Sequence, residues 1–171
     1  HLKTIYNLKM QIKNIFFITL CLFCITANTW ALERTSRLGI GTSNQLTNDM
    51  RAISFKIQKS RSLAFGGLVG FNTDANSGGH GFGLKVYRVI FDEPQLNFYS
   101  SAMLALVSQK VLKKESSGFQ CDLTLGSEFS FQGLQSLGFS FEFGFTMDNI
   151  NDFKVKSAGY NFITAGLHFY I

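Results

Sequence analysis

The stretch "LGFSFEFGF", residues 137–145, alternates without interruption between large apolar side chains and small or charged ones. Side chains of a β-strand point alternately to its two faces. Leu137 and four phenylalanines therefore share one face, whereas two glycines, Ser140 and Glu142 share the other. The stretch predicts a strand with one almost entirely aromatic face, and the fold depends on what that face meets.

The same alternation recurs along the chain and predicts eight strands. The predicted strands cover residues 36–43, 51–59, 62–72, 81–91, 96–107, 119–131, 137–145 and 160–171. No segment after residue 31 shows the period of an amphipathic helix. The polar connections are long after the first, third, fifth and seventh strands and short after the others. All long connections are therefore expected to project from one end of an up-and-down sheet.

The composition limits the class of protein. A length of 171 residues suggests one domain, and 19 Phe and 16 Gly with a single Pro are typical of a tightly packed sheet protein. Three of the 16 basic residues and none of the 11 acidic ones lie in the first 31 residues, so the remainder is nearly neutral. No basic stripe with interleaved aromatic residues is present, and we expect no nucleic-acid partner.

Residues 10–31, "MQIKNIFFITLCLFCITANTWA", have the layout of a secretory signal peptide. Lys13 precedes an apolar run from Ile15 to Ala27, and Ala31 ends the expected cleavage site. The run is shorter than the roughly 20 residues of a membrane-spanning helix, although an uncleaved anchor is the alternative. Residues 1–9 precede the first Met and are interpreted as upstream read-through, which leaves residues 32–171 as the barrel domain.

Two architectures fit eight alternating strands. A soluble barrel, such as a secreted lipocalin-like ligand carrier, has its apolar face inside, whereas a membrane barrel has that face outside against lipid. The polar face here is largely Gly, Ala and Ser, which suits the crowded lumen of a narrow barrel. The opposite face is an apolar band far larger than the patches that soluble proteins expose.

We therefore predict an all-β fold, an eight-stranded antiparallel up-and-down transmembrane β-barrel. Strands of the predicted length are sufficient to cross a bilayer when tilted, and closure leaves no unpaired edge in hydrocarbon. The residues expected to face lipid are Phe55, Phe65, Phe82, Leu104, Leu125, Phe139, Phe141, Phe143, Phe145, Leu167, Phe169 and Ile171.

Charged residues of both signs share the polar side of the strands. Buried charges must be paired, so these residues are expected to neutralise one another in a lumen charge network. The network is predicted to contain Arg37, Lys56, Lys85, Asp122, Glu128 and Glu142. Glu142 needs a cationic partner, for which the three basic residues are candidates. The alternative is that all six are scattered surface charges.

The leader, the eight strands, the asymmetry of the connections and the closing "AGLHFYI" (residues 165–171) resemble the small outer-membrane β-barrels of the OmpA/OmpX type. In that family the last strand carries aromatic and apolar residues at alternate positions, and the barrel-insertion machinery recognises it. Phe169 and Ile171 match this pattern, with Ile at the position where the family usually has Phe.

The resemblance implies a porin-like membrane protein of the Gram-negative bacterial outer membrane, exported by its signal peptide. Its partners would be outer-membrane lipid and the insertion machinery. It would have a structural or surface-interaction role through extracellular loops, without catalysis or a cofactor. The glycines and the charged pairs on the lumen face predict that the lumen is closed. The segment "QKVLKKESSG" (residues 109–118), with Lys110, Lys113 and Lys114, could meet anionic lipopolysaccharide, but a solvated loop is the favoured interpretation.

Catalytic and metal-binding motifs are weak. His168 could form a hydrolase site with Ser140 and Glu142, as in barrel-borne lipid-modifying enzymes, but the His-x-Ser-Asn pattern of lipid A deacylases is absent. The glycine-rich segment around His80 is interpreted as a hairpin loop. Cys121 is the only cysteine after the leader, so no internal disulfide and no zinc ligand set is expected.

Overall fold

The computed structural model describes residues 35–47, 50–111, 114–158 and 163–171, so the predicted read-through and signal peptide lie outside the described residues. Their regular structure consists of strands. The strands are β1 (Leu38–Ser43), β2 (Ala52–Gln58), β3 (Leu63–Asn72), β4 (Gly79–Glu93), β5 (Leu96–Val111), β6 (Lys114–Phe129), β7 (Leu137–Asn149), β8 (Phe153–Ser157) and β9 (Thr164–Tyr170). Within these ranges no helix is long and apolar enough to span a membrane.

The strands close into an antiparallel barrel. From β1 to β7 each strand pairs with the next, and β9 closes the ring by pairing with both β7 and β1. Strand β8 pairs with the part of β7 at Phe145–Asn149, whereas β9 pairs with the part at Leu137–Glu142. Strands β8 and β9 therefore share the eighth position, and the predicted eight-stranded up-and-down barrel is confirmed.

The hairpins at the end of the barrel with the long connections are longer than predicted. Strands β5 and β6 continue to Val111 and from Lys114, through a segment that the sequence indicated as a loop. In the same way β7 and β8 pair through residues 145–157, most of which was predicted as a connection. Both segments are rich in polar residues, which the sequence indicated as connections. On β8, however, Phe153 and Val155 are exposed and alternate with two lysines. On β7 Thr146 and Asp148 are buried, so cross-strand pairing continues through this part of the chain.

The other end of the barrel has compact turns. Residues 59–62, 94–95 and 130–136 connect β2 to β3, β4 to β5 and β6 to β7. Gly133 has a φ of 85°, a left-handed conformation that glycine adopts without steric cost. The barrel closes at this end, where the backbone N–H of Ile171 donates to the carbonyl of Leu38 at 3.0 Å.

The connection between β3 and β4 is ordered around Asp74. Its Oδ1 accepts hydrogen bonds from the backbone N–H groups of Asn76 and Ser77, both at 2.8 Å, and from the Ser77 hydroxyl at 3.0 Å. These donors favour the carboxylate and hold the pKa of Asp74 below its usual value. The polar sequence of this loop is thus a turn stabilised by its own side chains.

Candidate functional site in the barrel interior

The two faces of the barrel wall differ sharply in chemistry. All twelve residues predicted to face lipid lie on the outer surface, where eleven are exposed and Phe139 is half-buried. Phe139 is partly covered because its ring lies 5.5 Å from that of Phe129 and 5.7 Å from that of Phe131. The opposite residues of the same strands point inward and are buried. The apolar side of the alternating pattern is therefore the outside of the barrel.

The first ion pair in the interior joins Lys85 on β4 to Glu142 on β7. The Lys85 Nζ lies 2.6 Å from both carboxylate oxygens of Glu142, and neither residue is more than 5% exposed. Glu142 also accepts hydrogen bonds from the Tyr99 hydroxyl at 2.9 Å and the Thr124 hydroxyl at 2.7 Å. Both oxygens of this buried carboxylate are thus satisfied, as a charge removed from water requires.

The second ion pair joins Lys56 on β2 to Glu128 on β6. The Lys56 Nζ lies 2.6 Å from one carboxylate oxygen, and the Tyr170 hydroxyl donates to the other at 2.7 Å. The Lys56 Nζ also lies 4.7 Å from the ring centroid of Tyr87 and 4.9 Å from that of Tyr99. Aromatic faces attract cations, so the tyrosines add a second stabilising contact to this lysine.

The rings of Tyr87 and Tyr99 pack against each other and against the lysines of the two ion pairs. Their rings meet edge to face with centroids 5.3 Å apart, and the Lys85 Nζ lies 4.9 Å from the Tyr87 centroid. Glycines on neighbouring strands make room for these rings. A Cβ at Gly66 would lie 2.9 Å from Tyr87 Cε2, and one at Gly126 would lie 2.9 Å from Tyr99 Cζ. The small residues on the lumen face were visible in the sequence, but no local pattern indicated that they accommodate these tyrosines.

Asp122 and Arg37 lie apart from the two ion pairs. Asp122 is buried on β6, but its oxygens accept from the amides of Gln45 at 2.9 Å and Gln120 at 3.0 Å. Arg37 precedes β1, is half-buried and forms no ion pair with any described residue. Of the six charges predicted for the network, the structure therefore joins four as two pairs and satisfies a fifth through amides.

The connection between β1 and β2 folds into the barrel. Gln45 and Leu46 are 1% and 2% exposed, although the sequence indicated a polar loop that projects outward. Leu46 packs with Ala52, Leu68, Met103 and others in a buried apolar cluster. The amide of Gln45 donates to Asp122 and its oxygen accepts from Lys85 at 2.6 Å. We call Gln45–Leu46 the plug, because it fills the interior at the end with the long connections.

Glycines explain why the plug fits. A Cβ at Gly70 would lie 3.1 Å from the Leu46 Cδ1, and one at Gly81 would lie 2.7 Å from the same atom. The glycines of β3 and β4 therefore leave the space that the leucine occupies. A single leucine in a polar segment and glycines on the lumen face were visible in the sequence, but only the register places them together.

His168 does not form the hydrolase site with Ser140 and Glu142 that the sequence offered as an alternative. His168 is buried, and its Nε2 lies 2.8 Å from the hydroxyl of Ser54, rather than that of Ser140. Glu142, the acid of the predicted alternative, is held by Lys85, Tyr99 and Thr124. Within the described ranges, His, Cys, Asp and Glu form no group of three that could hold a metal ion. The buried Lys, Glu and Asp groups instead pair with one another or accept hydrogen bonds from amides.

The fold and the division between its faces define a class, the closed eight-stranded barrel with a polar interior and an apolar exterior. The crystal structure of the N-terminal β-barrel domain of Pseudomonas aeruginosa OprF has this fold. It matches this chain with a TM-score of 0.61 and 14% sequence identity, over 80% of this chain and 98% of that domain. The predicted resemblance to the small OmpA/OmpX-like outer-membrane barrels is thereby confirmed at the level of the fold.

Sequence comparisons add no closer relationship. No family model matches the chain, and no curated protein is significantly similar to it. The likeness to the OprF domain is structural, and at this identity it concerns the fold alone.

Proposed function

We propose that this protein spans the outer membrane of a Gram-negative bacterium as a small barrel with a filled, non-catalytic interior. The observation that carries the proposal is the apolar outer surface, which extends over all sides of the barrel. Residues as far apart in the chain as Phe55, Phe82, Phe143 and Phe169 are between 38% and 54% exposed on this surface. In water such a band would drive aggregation, whereas in lipid it is the surface that a barrel requires.

A soluble ligand carrier is less consistent with the same arrangement. A carrier would need an apolar cavity inside, but the centre of this barrel is occupied by Lys56, Lys85, Glu128 and Glu142 with their tyrosine partners. A lipid-modifying enzyme would need a nucleophile and base within reach of lipid. Ser54 and His168 are instead enclosed in the interior.

The functional end would be the one with the long hairpins. The β5–β6 and β7–β8 hairpins carry exposed Lys114, Lys154 and Lys156 beyond the apolar band. Lys113, which the sequence placed in the same basic segment, lies outside the described residues. These hairpins would serve a structural or surface-interaction role outside the cell, where anionic lipopolysaccharide is a chemically suitable partner. Export by the signal peptide and insertion by the barrel-insertion machinery belong to the same proposal.

Folding into a membrane mimetic tests the proposal. We expect the chain to refold in detergent micelles or lipid vesicles, to show β-type circular dichroism, and to migrate differently on gels before and after boiling. The control is the same chain diluted into buffer without detergent, which should aggregate. A monodisperse, folded protein in plain buffer would contradict the proposal and would favour the soluble carrier.

A further inference from the structure

A groove runs along the outer surface of β5, between the side chains of β4 and β6. Two depressions form it, with volumes of about 590 and 690 Å³, and they share Val86 and Ala102. The part nearer the turns exists because Ser100 and Ala102 are small, whereas the flanking outward residues, such as Leu123, are large. The other part passes beside the exposed Leu104 and Leu106. The lining of the groove is almost entirely apolar. Lys85 lies behind it in the buried interior, and one exposed charged side chain lies at the end nearer the turns.

That charged group is Arg88 on β4. Arg88 is exposed on the outer surface, lies opposite Ser100, and forms no ion pair with any described residue. It lies at the end of the groove nearer the turn between β4 and β5. A charge on the lipid-facing side of a barrel is costly unless it reaches an interface or a counter-charge. At the end of the groove Arg88 is placed to reach an interface, and any counter-charge would come from outside the described residues.

The dimensions of the groove match one lipid chain. From Ser100 to Leu106 the strand rises about 20 Å, and a tilt of about 40° reduces this to about 15 Å along the membrane normal. One leaflet has about the same hydrocarbon depth, because the whole core is about 30 Å thick. A cation at one end of an apolar groove of this length is complementary to a phosphate headgroup with an attached acyl chain.

We propose that this groove is a binding site for one anionic glycerophospholipid. The Arg88 guanidinium would pair with the phosphate through parallel N–H donors, and an acyl chain would lie over Ser100 and Ala102. A headgroup with net negative charge is favoured, since a zwitterionic one carries its own cation to compete with Arg88. This inference rests on the proposed function, because it requires the outer surface to meet lipid.

Native mass spectrometry of the chain refolded in detergent micelles tests the site. The probes are dioleoyl phosphatidylglycerol and dioleoyl phosphatidylcholine, added at equal concentrations. We expect one phosphatidylglycerol to be retained in preference to phosphatidylcholine. Arg88→Gln should weaken that preference about fivefold, because one cation near an anionic lipid surface raises the affinity by about that factor. Arg88→Lys should keep part of the preference, because it keeps the charge without the paired donors.

Groove-filling and control variants separate this site from general attraction to the barrel. Ala102→Phe should lower retention of both lipids by filling the groove. Ala165→Phe, at an exposed alanine on β9, and Lys59→Gln, at an exposed cation near the same barrel end, should leave retention unchanged. Equal retention of the two lipids by the parent chain, or no effect of either Arg88→Gln or Ala102→Phe, would overturn the site. Failure of the parent chain to fold in micelles would instead overturn the proposed membrane barrel.

Discussion

At the scale of single residues, the interior depends on charges that have been removed from water. Glu142 is 5% exposed, and its carboxylate accepts hydrogen bonds from Lys85, Tyr99 and Thr124, which lie on three different strands. Such a residue links the wall of the barrel across its centre. Replacing both members of a buried ion pair by well-packed apolar side chains often leaves stability unchanged, but removing one member leaves an unpaired buried charge. Glu142 is therefore needed as long as Lys85 is present.

Neutralising Glu142 should destabilise the barrel strongly. Glu142→Gln leaves the Lys85 ammonium buried without its counter-charge, and removing one member of a buried pair costs about 3–5 kcal/mol. Urea unfolding in lipid vesicles would measure the loss. Glu93→Gln, at an exposed carboxylate beside the β4–β5 turn, is the control and should change stability by less than about 0.5 kcal/mol. A similarly small change for Glu142→Gln would show that this residue is not in a closed interior.

A double-mutant cycle would show whether the loss belongs to the ion pair. We expect Lys85→Met combined with Glu142→Gln to cost less than the sum of the two single substitutions, since no unpaired charge remains. Strict additivity would show that the two groups act independently.

At the scale of elements, the plug fills the interior of the barrel at the end with the long connections. Gln45 and Leu46 belong to a connection rather than a strand, yet they contact β3, β4 and β6 side chains in the interior. The backbone of this connection is also bound to the barrel wall, because the N–H of Thr47 donates a hydrogen bond to the Gln120 side chain at 3.0 Å. This segment therefore behaves as part of the core.

Truncating the plug should cost stability as a core substitution does. Leu46→Ala removes a 2%-exposed side chain and leaves a cavity, with an expected loss of about 2–5 kcal/mol in the free energy of unfolding. Leu134→Ala in the β6–β7 turn is the matched control, because Leu134 is 58% exposed. Equal effects of the two substitutions in the same urea titration would mean that the β1–β2 connection projects outward after all.

Strand β5 tests which medium surrounds the barrel. Leu104→Lys places a charge on the exposed apolar face and should cost about 2–4 kcal/mol if that position lies near the middle of a bilayer. Leu134→Lys lies in the β6–β7 turn, where the side chain is 58% exposed, so it should cost about 0–1 kcal/mol. Both values would be measured by unfolding in vesicles. Equal costs would argue against a membrane boundary between the two positions.

At the scale of the whole molecule, the interior is closed by three successive layers. The plug and its apolar cluster fill the end with the long hairpins, the Lys85–Glu142 pair lies below them, and Lys56–Glu128 with Tyr170 lies towards the turns. Each layer links strands that are distant in the chain. A barrel filled in this way is expected to block ions as well as larger solutes.

The chain should therefore not conduct in planar bilayers. We expect no stable ion-conducting steps from the parent protein, and none from a plug variant with Leu46→Ala and Gln45→Ala, because both ion-pair layers remain below the plug. Recordings at symmetric salt would measure both. Stable steps from the parent protein would contradict the closed interior.

The sequence by itself determined the eight positions of the barrel wall, the all-β class and the face on which the side chains of the predicted strands lie. These follow from a period of two, which is a local property of the backbone and needs no knowledge of neighbours. It also indicated interior charges of both signs, and it listed the three bases that could serve Glu142 without choosing among them.

Only the tertiary structure decided how those residues combine. Lys85 meets Glu142 across 57 positions of chain because the register and closure of the barrel set which inward side chains share a level. The same register places Leu46 over Gly70 and Gly81, which turned a segment of polar appearance into part of the core. It also aligned Ser100 and Ala102 between larger neighbours as a groove beside Arg88. Alternation assigns a residue to a face, but contacts depend on strand shear, which no local pattern encodes.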